Sequence, residues 1–224
     1  MSFTARASDG VSIDALSPTP TLKQTKYNDG RVPSLDSLET EIKLRISDLA
    51  AARAQVESAG FRVCAPRAFE RNVVFDTPEL ALKSRSELIR IRQVDGKTTL
   101  TFKGPRQPGK HKVREELESS LSDAGAVERI FERMGLRPVF RYEKYRTEYC
   151  RDSDPGLVML DETPIGNYLE LEGPAEWIDA TARELGFSES EYLLASYASL
   201  YLEYCRQRGI EPADMAFPNL ERRP

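Results

Sequence analysis

The sequence predicts an α+β fold, a closed antiparallel β-barrel with helices packed outside it. Three observations predict this. From Leu38 onward, short extended segments alternate polar and apolar residues. The polar parity of those segments carries full charges grouped by sign, where a solvated face mixes Ser, Thr, Gln and isolated charges. Stretches of helical periodicity fall between and after the strands, with enough apolar surface to cover the other parity.

Each element follows from its residues. Residues 1–36 are rich in Ser, Thr, Pro, Asp and Gly without apolar periodicity, and read as a flexible N-terminal tail. Leu38 to Ile46 is a strand with Glu39, Glu41, Lys43 and Arg45 on one face. Ser47 is the expected cap of a helix running to about Ala59, with Gly60 as its stop. Asn72 to Asp76 is a short strand closed by Thr77-Pro78. Leu88 to Val94, the turn Asp95-Gly96, and Thr98 to Lys103 form a hairpin. A loop rich in Gly, Pro and Lys leads to an extended run from Lys112 to Leu121. Ser122 to Met134 is a helix that ends at Gly135, with Val127, Ile130, Phe131 and Met134 as its apolar stripe. Arg141–Arg151, Leu157–Asp161 and Asn167–Glu172 are strands, and two helices, Ala175–Leu185 and Glu189–Arg208, close the domain. The domain thus spans 37–208, with 209–224 as a C-terminal tail.

Composition excludes several classes of function. The chain has 224 residues, 40% of them hydrophobic, which suits one domain with a core and tails. A net charge of −4 argues against gripping duplex nucleic acid through the overall field. No apolar run approaches a membrane span, and MSFTARASDG has no apolar signal core. Three cysteines, Cys64, Cys150 and Cys205, lack paired spacing and read as reduced thiols of a cytoplasmic protein rather than as a zinc site. The sole histidine, His111, reads as a solvated loop residue, which excludes a His-based triad or a multi-His metal centre.

The chemistry lies in the charged parity. It holds Glu39, Glu41 and Lys43, then Arg90 and Arg92, then Lys103, then Arg114, Glu116 and Glu118, then Lys144, Arg146 and Glu148, then Asp161, then Glu170 and Glu172. The opposite parity holds Ile42, Leu44, Ile89, Ile91, Leu100, Phe102, Leu117, Leu160, Leu169 and Leu171. If the sheet closes, the charges line a polar lumen, and so many buried charges are tolerable only in a wet tunnel that takes a polyanion and cations. Carboxylate pairs suit Mg²⁺ or Mn²⁺, and Arg and Lys suit a chain of phosphates.

These residues resemble the CYTH family, named for class IV adenylyl cyclases and thiamine triphosphatases and also called triphosphate tunnel metalloenzymes. Glu39-Thr-Glu-Ile-Lys43 matches the family's Glu-x-Glu-x-Lys motif. Phe75-Asp76-Thr77-Pro78, Arg90-x-Arg92, Lys103, Arg114-Glu115-Glu116-Leu117-Glu118, Lys144-x-Arg146, Asp161 and Glu170-Leu171-Glu172 follow in the family's order. The resemblance implies an eight-stranded antiparallel barrel, the triphosphate tunnel, with helices outside. It implies Glu39, Glu41, Glu170 and Glu172 as ligands of Mg²⁺ or Mn²⁺, with Asp161 nearby. Lys43, Arg90, Arg92, Lys103, Arg114, Lys144 and Arg146 would contact the triphosphate, and Glu39, Glu41 and Lys43 would be catalytic. In many relatives the first motif lies almost at the N-terminus, whereas here residues 1–38 precede it.

The favoured activity is metal-dependent hydrolysis of inorganic triphosphate, thiamine triphosphate or a nucleoside triphosphate, by in-line attack of water. The alternative is a class IV adenylyl cyclase, in which the ribose 3′-hydroxyl of ATP attacks the α-phosphate and releases pyrophosphate; the motifs are shared by both. A non-catalytic polyphosphate or nucleotide sensor would keep the cations but could dispense with the carboxylate pairs. An RNA-binding barrel would interleave exposed aromatics with basic residues. The partner is therefore a triphosphate-containing small molecule, with no duplex nucleic acid and no membrane, and exposed helix faces leave a homodimer open. The segment Lys103 to Arg114 reads equally as a lid over a tunnel mouth or as a solvated hairpin loop.

Overall fold

The computed structural model describes residues 38–218, and the expected tail over 1–36 lies outside them. In chain order the elements are β1 (Leu38–Ile46), α1 (Leu49–Ser58), β2 (Arg62–Asp76), α2 (Ala81–Ser84), β3 (Leu88–Val94), β4 (Lys97–Lys103) and β5 (Lys112–Leu121). They continue with α3 (Ala124–Arg133), β6 (Arg137–Cys150), β7 (Leu157–Thr163), β8 (Gly166–Glu172), α4 (Ala175–Glu184), a 3-10 turn at Glu189–Glu191, and α5 (Tyr197–Arg208). The strands close into a barrel in the order β1-β5-β4-β3-β2-β6-β7-β8, with β8 returning to β1. Every neighbouring pair is antiparallel, as the sequence predicts.

The apolar parity faces outward and is covered by helices. Ile42, Leu44, Leu160, Leu169 and Leu171 pack beneath Ala52 and Val56 of α1 and Ile178, Ala182 and Leu185 of α4. On the other flank Phe75 and Ile91 pack against Phe131 of α3, the two phenyl rings meeting edge to face at 5.2 Å. The β3–β4 turn has positive φ at both central residues, 46° at Asp95 and 75° at Gly96, as a two-residue hairpin of this hand requires.

Several boundaries differ from the sequence reading. The cap of α1 is Asp48, not Ser47: its carboxylate accepts from the N–H groups of Ala50 and Ala51. The second strand is fifteen residues long, beginning at Arg62. Pro66 and register shifts around Ala65 break the alternation there and hide the strand from periodicity. The expected helix Glu189–Arg208 is broken. Its first turn is 3-10, with a capping box between Ser188 and Glu191, and Ser196 then caps a separate α5. Between them the chain runs extended and bonds to β1, where Leu193 and Lys43 exchange both backbone hydrogen bonds at 2.8 and 3.0 Å.

That bridge steers α5 onto one end of the barrel. Tyr197, at the start of α5, packs with Tyr142 and Tyr168, which belong to the inward parity of β6 and β8. Met215, from beyond α5, adds a bridge to Tyr142 and is itself buried. Together they form an aromatic stopper across that end of the lumen.

Candidate functional site

The inward parity gathers the predicted charges around one lumen, in two linked groups. The first lies where β1 meets β5, β4 and β8. Lys103 Nζ donates to both oxygens of Glu39, at 2.6 and 2.7 Å, and stands 3.2 Å from Glu116. Arg114 lies opposite Glu39 in the register, with Nε 3.5 Å from its carboxylate. Glu41 is held by Lys43 at 3.0 Å and by Lys112, and Lys43 also reaches Glu170 at 2.9 Å. The second group lies on β6, β7 and β2. Arg146 forks onto Asp161 at 2.7 and 2.6 Å and reaches Glu170 at 3.0 Å. Lys144 bonds Asp161 at 2.9 Å and stands 3.5 Å from Glu70. On β3, Arg90 donates to the Tyr142 hydroxyl at 3.0 Å and Arg92 donates to Glu118 at 3.0 Å.

Every residue named from sequence as a metal ligand or phosphate contact therefore lines this lumen. Eight of them, Glu39, Glu41, Lys43, Lys103, Lys144, Arg146, Asp161 and Glu170, are buried, while Arg90, Arg92, Arg114 and Glu172 are half-buried. Arg45, of the same parity, emerges at the rim and lies over the Tyr168 ring. Further lumen residues were missed, among them Tyr142, whose hydroxyl accepts from Arg90. Lys112 sits two residues before Arg114 and could have been found by extending that parity one step. Glu70 lies in the half of β2 that Pro66 and the bulges disguise, and Asn72, the first residue of the expected short strand, is uncharged and so fell outside the charged parity. Tyr197 enters from a helix, and only the Ser196 cap marks where it does so.

His111 is corrected as well. It is buried, and its Nε2 lies 2.8 Å from Asp179 of α4, which also bonds Tyr192 at 3.1 Å and Lys110 at 2.8 Å. The β4–β5 loop is thus fastened to α4 rather than left in solvent, and this holds Lys112 beside Glu41.

Ionisation follows from this packing. Burial works against the charge on Glu39 and Glu41, yet Lys103, Lys112 and Lys43 more than offset it and hold both carboxyls low. Glu70 is likewise opposed by burial but pushed down to about 2 by Lys144, Arg146 and Arg92. Asp161 is held low by Arg146 and Lys144 against its burial. Two groups go the other way. Lys112 falls to about 8, through burial and the neighbouring cations Lys43, Arg114 and Lys103, despite Glu41. Glu172 rises to about 8, through burial and the carboxylates Glu39, Glu116 and Glu170.

Whether a divalent ion fits can be judged from these groups. Among the described residues no set of three or more His, Cys, Asp or Glu side chains is arranged to hold a metal ion. The reason is visible, since Lys103 and Lys112 occupy Glu39 and Glu41. The donor chemistry nevertheless fits: burial first, and the neighbouring carboxylates Glu39 and Glu116 second, keep the Glu172 carboxyl protonated near neutral pH, so hard oxygens face one another there. A phosphate chain that drew the lysines away would leave those oxygens free for a cation. Unmet polar atoms in the lumen point the same way: Arg90 Nε, Arg114 Nε, and both amide atoms of Asn72 have no hydrogen-bond partner.

Comparison with known proteins bears on this arrangement. The CYTH domain family model matches residues 37–203. A Methanocaldococcus jannaschii protein provisionally named an adenylate cyclase is 30% identical over 135 residues, 60% of this chain and 76% of that protein. A Vibrio parahaemolyticus structure, also provisionally named an adenylate cyclase, superposes with a TM-score of 0.64 at 19% identity, covering 75% of this chain and 98% of its own. A Hippeastrum protein provisionally named an adenylyl cyclase, described as having a dominant triphosphatase activity, superposes at 0.53 with 17% identity, covering 78% of this chain and 97% of its own. At those identities the two structural likenesses speak for the fold alone.

Proposed function

This chain belongs to the CYTH family, and on that premise we propose that it is a metal-dependent hydrolase of a triphosphate-containing substrate held inside the barrel. The observation that carries the reading is a lumen in which cations on five strands converge, each already paired to a carboxylate that a phosphate chain and a metal ion would separate. Isolated, such buried pairs are a poor source of stability, because desolvation opposes their attraction. Exchanging Lys–carboxylate pairs for Lys–phosphate and carboxylate–metal pairs keeps every charge compensated.

When bound, Mg²⁺ or Mn²⁺ would be held by Glu39, Glu41, Glu170 and Glu172, with Asp161 near, and would offset phosphate charge. The remaining work falls to the chain. Lys103, Arg114 and Lys43 on one side, and Arg90, Arg92, Lys144 and Arg146 on the other, would hold the phosphates extended along the lumen and stabilise charge on the transferred and leaving groups. Lys43, placed between Glu41 and Glu170, would donate to the transferred phosphoryl group while those two carboxylates are engaged elsewhere. Water then attacks phosphorus in line, the bridging P–O bond breaks with its electron pair leaving on the diphosphate product, and the proton the water gives up is taken by the phosphate products. The aromatic stopper shields the far end from bulk water.

The test is substitution of the carboxylates. Glu39→Gln and Glu170→Gln should each abolish metal-dependent phosphate release and keep the fold; unchanged turnover with metal still bound in both variants would sink the assignment. A second reading, adenylate cyclase, is favoured by the name of the Methanocaldococcus relative, and it predicts a cyclic nucleotide and pyrophosphate from ATP. The three free thiols fit a reducing compartment, and on that basis we place the protein in the cytoplasm. No helix among the described residues is long and apolar enough to cross a membrane.

A further inference from the structure

We propose that Asn72 is a substrate-contacting residue of the tunnel. Its Nδ2 donates to an oxygen of the phosphate that Arg90 and Arg92 take, and its Oδ1 accepts from a water at that same phosphate. The inference rests on the triphosphatase reading and adds a residue that none of the charged motifs contains.

Placement comes first. Asn72 on β2 stands directly opposite Arg92 on β3 and opposite Tyr142 on β6. Residues opposed in this way share a face of the sheet. The Tyr142 hydroxyl accepts from Arg90, so the amide sits on the inner wall between the arginine pair and the stoppered end. Val73, its chain neighbour, packs outward with the Phe75–Ile91–Phe131 cluster, as alternation requires.

The second observation is that the amide is buried and unused. Asn72 is 2% exposed, yet neither Nδ2 nor Oδ1 has a hydrogen-bond partner. Buried polar side chains nearly always find one, and an unmet amide is destabilising where an apolar side chain would not be. Its neighbours are engaged elsewhere: Arg92 on Glu118, and Lys144 on Asp161. Arg90 Nε, one strand over, is unpartnered too.

The third is the chemistry of the group. An amide offers donors on one atom and an acceptor on the other. A fully ionised phosphate can satisfy only the donor. A carbonyl oxygen needs a proton donor, and with the guanidinium groups of Arg90 and Arg92 turned to the phosphate that donor is water. Because the amide is neutral it removes no proton. It fixes where the water stands, which is how an uncharged side chain contributes to an in-line attack.

The test measures binding of inorganic tripolyphosphate by calorimetry, turnover by phosphate release, and melting temperature, for wild type, Asn72→Ala and Asn72→Ser. The expected result is that Asn72→Ala weakens tripolyphosphate binding or lowers kcat by about tenfold, the scale of one hydrogen bond to a charged group. Its melting temperature should stay level or rise, because no native hydrogen bond is lost. Asn72→Ser, whose hydroxyl both donates and accepts, should recover part of the loss. Binding and kcat both within twofold of wild type in Asn72→Ala would overturn the inference, and so would a loss accompanied by a matching fall in melting temperature. If wild type binds tripolyphosphate but turns over no triphosphate, the hydrolase reading fails while the phosphate contact of Asn72 is still judged by the binding ratio. If wild type does not bind it at all, the phosphate contact of Asn72 fails, while the hydrolase reading is judged separately on thiamine triphosphate and ATP.

Discussion

Tyr197→Phe isolates the contact by which α5 enters the barrel. The Tyr197 hydroxyl donates to Asp161 Oδ2 at 2.5 Å, and burial together with Asp161 and Glu170 keeps the phenol well above its usual range, so it remains a donor at any working pH. Removing the oxygen leaves the ring packed against Tyr142 and Tyr168 at centroid distances of 6.2 and 5.6 Å. What is lost is one hydrogen bond to a charged acceptor, about 1.5–3 kcal/mol. The low end applies, because Arg146 and Lys144 still hold the same carboxylate and no charge is stranded. For a chain of this size each kcal/mol moves Tm by roughly 2–4 °C, so a drop of about 3–6 °C is expected in a calorimetric melt. Tyr197→Ala should lose about 3–5 kcal/mol, since it also empties the stopper. A Tm for Tyr197→Phe within about 1 °C of wild type would mean that the hydroxyl is not bonded to Asp161, and an unchanged Tm for Tyr197→Ala would mean that the ring does not close this end of the lumen.

Other predictions follow from neighbouring groups. Glu172, lifted to about 8, carries a proton in the folded state that an unfolded chain would release. Its contribution to stability is full below the ordinary carboxyl range and disappears as pH rises through about 8. A metal held by Glu172 would have to displace that proton, so apparent Mn²⁺ affinity should climb about tenfold per pH unit between pH 6 and 8 and then level off. Glu172→Gln should flatten the profile, and a profile already flat in wild type would contradict the assignment. Gly156→Ala should lower Tm by at least about 3 °C, because a Cβ there would meet the Trp177 ring at 2.4 Å and the Glu172 carbonyl at 2.7 Å. An unchanged Tm would mean that Trp177 does not pack over that bend.

The barrel was legible because its strands alternate cleanly and because charge recurs on one parity from Glu39 to Glu172. Parity tells which face a side chain takes, but not what stands opposite it. That Lys103 grips Glu39, 64 residues away in the chain, follows from barrel closure and register, which no local pattern encodes. The missed half of β2 shows the other limit. Pro66 and the shifted register remove the period-two signal while the strand persists by pairing with β6, and Glu70 went unseen with it, whereas Asn72 lay in the expected strand but carries no charge to mark it. The broken final helix has a similar cause. Its apolar residues run on through Leu193 and Leu194, so periodicity favoured one long helix over the two serine caps that divide it.

The most direct test of the account is phosphorus NMR of the purified protein with Mg²⁺ or Mn²⁺ and, separately, tripolyphosphate, thiamine triphosphate and ATP. The account predicts orthophosphate release from at least one of them, stopped by chelator. Pyrophosphate with a cyclic nucleotide from ATP, or shifted phosphate resonances without turnover of any substrate, would contradict it.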